Sequence, residues 1–230
     1  MEKQRAHAFI RCVTWLAETP AEFQDQILAK CDLLLFQAGE SVYDVGDEPG
    51  GVFGVVEGHI ELHLPAHDRG PTLTLIGGPG FWAGDIAAVT GQPRRITILA
   101  GSDCQLLRFS RAEILRMAAN DPVVWRYLTL LLARNLRKSI DVIDAISRHD
   151  PVARVAATLL NLMEDPPQDQ SAISASQSDL AALTRLSRSA VNAALRDLQA
   201  QGLIHRRYGA IDVSDAPALR EFVWRPVGEA

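Results

Sequence analysis

Ser176-Gln177-Ser178-Asp179-Leu180-Ala181-Ala182-Leu183-Thr184-Arg185-Leu186-Ser187-Arg188-Ser189-Ala190-Val191-Asn192-Ala193-Ala194-Leu195-Arg196-Asp197-Leu198 is the most informative stretch of the chain. Its first four residues have the spacing of a capping box, with Asp179 in place of the better Glu. The short helix that follows has Leu180 and Leu183 on one side. Arg185-Leu186-Ser187 is a turn-sized break, and Ser187 is a natural N-cap for a second helix. That helix turns Val191, Ala194, Leu195 and Leu198 inward and stops near Gly202, a C-cap. Its outer face shows Arg188, Ser189, Asn192, Ala193 and Arg196. Two short helices, a tight turn and a small, polar, cationic outer face make a helix-turn-helix.

Leu203 to Val213 then reads as a β-hairpin wing with Arg206 and Arg207 near its turn. Arginine and asparagine present fork-shaped donors to base edges, while cap hydroxyls and wing arginines contact phosphates. The candidate DNA-facing residues are Ser176, Arg185, Ser187, Arg188, Ser189, Asn192, Ala193, Arg196, Arg206 and Arg207. From Ser176 to Val213 five Arg or Lys stand against three acidic residues, in a chain of net charge -5. An overall basic footprint is absent, so DNA binding must rest on this patch. A helical hairpin with a solvated face is the competing reading.

Upstream, Val152, Val155, Ala156, Leu159, Leu160 and Met163 keep helical spacing, and His149-Asp150-Pro151 reads as a hinge. From Asp121-Pro122 to about Ser147 no glycine or proline interrupts, and such a helix spans roughly 40 Å. Trp125, Leu128, Leu132, Asn135, Ser139, Val142 and Ile146 alternate in steps of three and four, a coiled-coil seam. Leu128, Leu132, Asn135, Val142 and Ile146 are therefore assigned to a dimer seam. Leu131, Leu136, Ile140 and Ile143 add a second stripe, so one face can pack on a β domain and the other on a partner helix. Burial in a monomer's core is the alternative, costly for Asn135 and Ser139.

Residues from about Leu33 to Phe109 are glycine-rich and strand-like, which suggests an all-β barrel or sandwich. Within it Val52 to Leu64 reads as two strands around a Glu57-Gly58 turn. Short helices are expected from Ala8 to Glu18 and from Arg111 to Ala119.

With 230 residues, 47% apolar and 22% charged, bulk disorder is excluded. No run approaches the ~18 apolar residues of a spanning helix, and the start lacks a signal-peptide pattern. A soluble, cytoplasmic protein with no membrane partner is expected. Cys12, Cys31 and Cys104 form no C-x-x-C, which argues against a disulfide framework or metal ribbon, and they read as small core residues. His59, His63 and His67 recur every four residues. On a strand His59 and His63 lie roughly 13 Å apart, beyond one zinc ion with its ~2 Å bonds. No metal is expected. That weakens a cupin-like metalloenzyme, while a cyclic-nucleotide-binding regulatory module would leave the winged segment idle.

Several stretches together resemble the CRP/FNR family of bacterial transcription regulators. They are Gly51 to Leu62, Phe81 to Asp85, Gly91 to Ala100, Pro151 to Leu160 and Leu186 to Leu195. The resemblance implies an α+β chain: an N-terminal cyclic-nucleotide-binding-like β-roll (1–120), a long central dimerisation helix (121–148) and a C-terminal winged helix-turn-helix (149–230). Family recognition helices usually read S-R-E-T-V-x-R. Here Arg188 matches the first Arg, Ser189 replaces the Glu, Ala193 replaces the last Arg, and Arg185 stands at the usual turn glycine. Asn192 and Arg196 are therefore expected to carry more of the readout.

In cyclic-nucleotide-binding relatives Gly-Glu and Arg-Ser or Arg-Thr bracket a phosphate cradle. Gly84, Asp85 and Arg94 match, with a shorter acid, but Arg95 stands where the hydroxyl belongs. A Thr-Ser pair on the long helix falls at Ser139 and Ile140. The effector pocket is thus assigned to Gly84, Asp85, Arg94, Arg95 and Ser139, and Arg94-Arg95 either binds an anion, or pairs with Asp85 or lies on the surface. The iron-sulfur branch would need more clustered cysteines. No cofactor is expected, although the sequence leaves haem or another small effector open, with His149 or His7 as conceivable ligands. The resemblance implies a cytoplasmic homodimer without catalytic activity on pseudo-palindromic double-stranded DNA and leaves RNA polymerase open as a partner, while the departures at Arg95 and Ile140 lead to the expectation that its effector is not cyclic AMP.

Overall fold

The computed structural model describes residues 2–65, 70–163, 172–173, 175–207 and 210–224. These divide into two compact units, the first ending at Arg137 and the second beginning at Lys138.

The first unit opens with α1 (Glu2–Val13), a 3-10 turn (Trp15–Glu18) and α2 (Ala21–Lys30). The sequence suggested one helix from Ala8 to Glu18. It is broken because Thr14 leaves helical geometry to cap the 3-10 turn, accepting from the Leu16 amide at 3.2 Å. The strands follow as β1 (Asp32–Phe36), β2 (Ser41–Tyr43), β3 (Gly51–Glu57), β4 (Ile60–Leu64), β5 (Thr72–Gly77) and β6 (Trp82–Ala83). After α3 (Asp85–Thr90) come β7 (Thr97–Ala100), β8 (Cys104–Ser110) and α4 (Arg111–Asn120). The strands make two antiparallel sheets, ordered β1-β8-β3-β6 and β2-β7-β4-β5. The strands read around Glu57-Gly58 both form but do not pair, because the chain changes sheet at Gly58, whose φ is +77°.

A Cβ on Gly54 would collide with the Trp82 ring, so the missing side chain is what lets Trp82 lie across β3. Trp82 meets Trp15 edge-on at 5.9 Å, in a core shared with Ile27, Leu107, Phe109 and Ile114. Cys31 and Cys104 are core residues as expected, but Cys12 is exposed on α1.

The unit boundary falls inside α5 (Val123–Ser147). Asp121 caps this helix, accepting from the Val123 amide at 3.0 Å. The second unit continues with α6 (Pro151–Met163), β9 (Ala172–Ile173), α7 (Gln177–Thr184), α8 (Arg188–Ala200), β10 (Ile204–Arg207), β11 (Ala210–Val213) and α9 (Ala216–Trp224). Helix α6 packs on α7, α8 and α9, and β10-β11-β9 form a small sheet. The hinge expected at His149-Asp150-Pro151 is a real break, but a braced one. Asp150 caps α6 through the amides of Val152 and Ala153, at 3.2 and 2.9 Å. Arg154 reaches back to the Arg148 carbonyl at 2.9 Å, and Arg148 in turn reaches the Val223 carbonyl at 2.7 Å. His67 lies outside the described residues, as does the tip of the wing, Tyr208 and Gly209.

Candidate DNA-reading face and effector pocket

The capping box forms as its spacing requires: the Asp179 amide donates to Ser176 Oγ at 3.1 Å, and the Ser176 amide to Asp179 Oδ2 at 2.8 Å. Leu180, Leu183, Val191, Ala194, Leu195 and Leu198 are buried, which fixes α7 against α8. Ser187 caps α8 by accepting from the Ala190 amide at 3.2 Å, and its hydroxyl meets Ser189 Oγ at 2.9 Å. Between the helices Arg185 is left-handed, with φ 57°. Its amide bonds the Ala182 carbonyl at 3.4 Å and that of Leu186 bonds Ala181 at 3.2 Å, the closure that usually carries glycine. A side chain in this conformation costs about 1–2 kcal/mol.

The outer face of α8 shows Arg188, Ser189, Ala193 and Arg196, all exposed. Asn192 departs from the expectation of a free base reader. Its Nδ2 donates to Gln177 Oε1 at 2.8 Å, and its Oδ1 accepts from Arg206 Nη2 at 3.3 Å. The Arg206 amide is held by Gln199 Oε1 at 3.1 Å. Asn192 thus clasps α7 and the wing to α8, and Gln177 and Gln199 join the face unforeseen. No local signal pointed to them, since the contacts join residues fifteen and seven positions apart. Arg207 pairs with Asp212 on the neighbouring strand, which raises the pKa of the arginine and lowers that of the aspartate.

The pocket residues part company. Arg94 is buried and donates from Nη1 to the Gly84 carbonyl at 3.1 Å and from Nη2 to the Gly51 carbonyl at 2.8 Å. Its guanidinium lies 4.0 Å over the Tyr43 ring, and its Nε is buried without a partner among the described residues. Arg95 points to solvent, so the two arginines form no joint anion fork. Gly84, at φ +93°, could not carry a Cβ, which would fall 2.6 Å from Arg94 Nη1. Asp85 opens α3 and is buried. Burial pushes its pKa up against the Asn135 hydrogen bond, the amides of Asp85 and Ile86, and the charge of Arg94. Tyr43 is pushed up strongly, also by burial. Ser139 is exposed and belongs to the second unit.

Two family models match the chain: a cyclic nucleotide-binding domain over residues 33–121 and a Crp-like helix-turn-helix domain over residues 153–222. A relative from Thermus thermophilus, named a cyclic AMP receptor protein, is 30% identical over 193 residues, spanning 83% of this chain and 87% of that one. The chain belongs to the CRP/FNR family. Solved structures share the fold. FixK2 from Bradyrhizobium japonicum gives a TM-score of 0.74 at 20% identity, covering 86% of this chain and 99% of that one. A CRP/FNR-family transcriptional regulator from Thermus thermophilus gives 0.64 at 24% identity, covering 84% and 98%.

As a CRP/FNR member the chain is a DNA-binding transcription regulator with a cyclic-nucleotide-binding-like domain, and its α+β architecture is the one expected. In this CRP/FNR chain the expected dimer seam needs correction at Leu128 and Asn135, which the single chain already engages. Leu128 is 1% exposed within a single chain, packed with Val124 and Leu131 in the first unit's core. Asn135 donates to the Trp82 carbonyl at 3.0 Å and to the Asp85 carboxylate. Leu132, Val142 and Ile146 are half-buried, whereas Leu136, Ile140 and Ile143 are exposed at 63%, 56% and 59%. Both stripes enter the β-roll core at their N-terminal ends, Leu128 of one and Leu131 of the other being buried there, which spacing alone could not show. Among the described residues no three His, Cys, Asp or Glu side chains converge on a metal site, and no helix is long and apolar enough to cross a membrane.

Proposed function

We propose that the chain works as a cytoplasmic, non-catalytic homodimer that reads a pseudo-palindromic operator, one α8 per half-site and roughly 34 Å apart. The observation that carries this is the cationic outer face of α8, where Arg188 and Arg196 stand exposed on a helix capped at Ser187 and backed by a buried apolar face. Arg188 reads a base edge and Arg196 reaches a neighbouring base or phosphate. Ser176, Ser187, Arg206 and Arg207 serve the DNA backbone. The exposed stripe of Leu136, Ile140 and Ile143, spaced four and three, is the surface for the partner's α5. RNA polymerase remains a further partner of such a complex.

The relative's printed name carries cyclic AMP, but this pocket departs from a cyclic-nucleotide cradle. Arg94 is committed to two backbone carbonyls and Arg95 faces solvent. The effector is therefore not cyclic AMP, and the protein senses something else or binds DNA without a ligand. Selection of bound duplexes from a random pool tests the main reading. Recovery of one sequence with two inverted half-sites supports it, and a pool without sequence preference overturns it.

A further inference from the structure

Arg185 is the only non-glycine residue with positive φ among the described residues. It stands where glycine closes a helix without strain, and its exposed side chain makes no hydrogen bond or ion pair among them. A cation at a helix C-terminus can serve the helix dipole, but much of that end is already satisfied. The Ala181 carbonyl takes the amide of Leu186, the Ala182 carbonyl takes that of Arg185, and the Leu180 carbonyl takes the Thr184 hydroxyl at 2.5 Å. The Thr184 carbonyl takes Arg154 Nη1 at 3.3 Å. The same contacts pin the turn, which is why a strained residue can persist there. Two residues on, Ser187 opens α8, with Arg188 beside it.

We propose that Arg185 is a sequence-independent contact to a DNA phosphate beside the recognition helix, kept at that position against the local stability that glycine would give. The proposal rests on the DNA-reading function above. It gives the two cations different roles, since Arg188 discriminates among sequences and Arg185 adds affinity to all of them. A guanidinium suits this because it donates two parallel bonds to one phosphate and stays charged at every working pH.

The test uses the full chain with Arg185→Gly, Arg185→Asn and Arg185→Lys, each followed by thermal unfolding and by binding to the selected operator and to an unrelated duplex across a salt series. Both Gly and Asn suit the left-handed conformation. The expected result is a Tm a few degrees above wild type for these two. Their binding weakens about threefold to tenfold on both duplexes, and the slope of log K against log salt shrinks by about 0.9. Arg185→Lys keeps the slope and gains no stability. Unchanged affinity and slope in the Gly and Asn variants overturn the proposal, as does a loss confined to one base position. A lower Tm in both overturns it too, by making the guanidinium a structural contact. A folded wild type that binds neither duplex removes the DNA-reading function itself, and is told apart because the failure appears before any substitution.

Discussion

Arg94 donates to the carbonyl oxygen of Gly84 at 3.1 Å, so the arginine aligned with a phosphate ligand is bonded to the glycine that opens the supposed cradle. The second bond, to the Gly51 carbonyl at 2.8 Å, ties it to β3 as well. Its charge is thereby spent on the protein's own backbone. Replacing it strips the Gly51 carbonyl of that donor and leaves the Gly84 carbonyl only the Ala88 amide at 3.0 Å, and Arg94→Leu should cost the ligand-free protein about 1–3 kcal/mol. Urea unfolding measures this, and calorimetry with cyclic AMP on wild type should show no binding at low micromolar concentration. A stability-neutral Arg94→Leu, or low-micromolar binding coupled to tighter DNA binding, would show that Arg94 waits for a ligand.

Asp85 gives a pH signature. Its folded-state pKa is raised by burial, so the folded chain keeps the proton at pH values where the unfolded chain has lost it. The contribution to stability is therefore fully present below the ordinary carboxylate range and is lost as pH rises through the folded value. The stability of wild type relative to Asp85→Asn should fall from about pH 4 upward. A constant difference between the two proteins across the series would contradict the buried, desolvated carboxyl.

On the reading face, Arg188 and Asn192 should behave differently. Arg188→Ala is expected to cost about 1–3 kcal/mol and to relax preference at one operator position. Asn192→Ala releases Gln177 and Arg206 together, and should weaken binding evenly across operator variants. Binding measured against a panel of single-base operator changes separates the two. A loss of preference at one position in Asn192→Ala would make it a base reader after all.

For assembly, Ile140→Asp should turn a dimer near twice 25.1 kDa into monomers by sedimentation. Leu128→Ala instead removes a buried core side chain and should cost about 2–5 kcal/mol of stability while leaving the dimer intact. The opposite pattern would return the seam to the Leu128 register.

Local chemistry determined much of this protein from the sequence alone. The box of Ser176 and Asp179, the cap at Ser187 and the break at Asp150-Pro151 all rest on contacts within a few residues, so their patterns carry their geometry. The period of α5 likewise fixed a long helix with two apolar stripes. Which residues of the two stripes face the β-roll was decided only in three dimensions, because Leu128 of one and Leu131 of the other fill a core whose other walls, Trp15, Trp82 and Phe109, are remote in sequence. The same holds for Arg94, whose partners include Gly51, 43 residues away, and for Asn192, claimed by Gln177 and Arg206. A side chain's reach and charge are written in its residue type; what it spends them on depends on which donors and acceptors the tertiary fold leaves unsatisfied beside it.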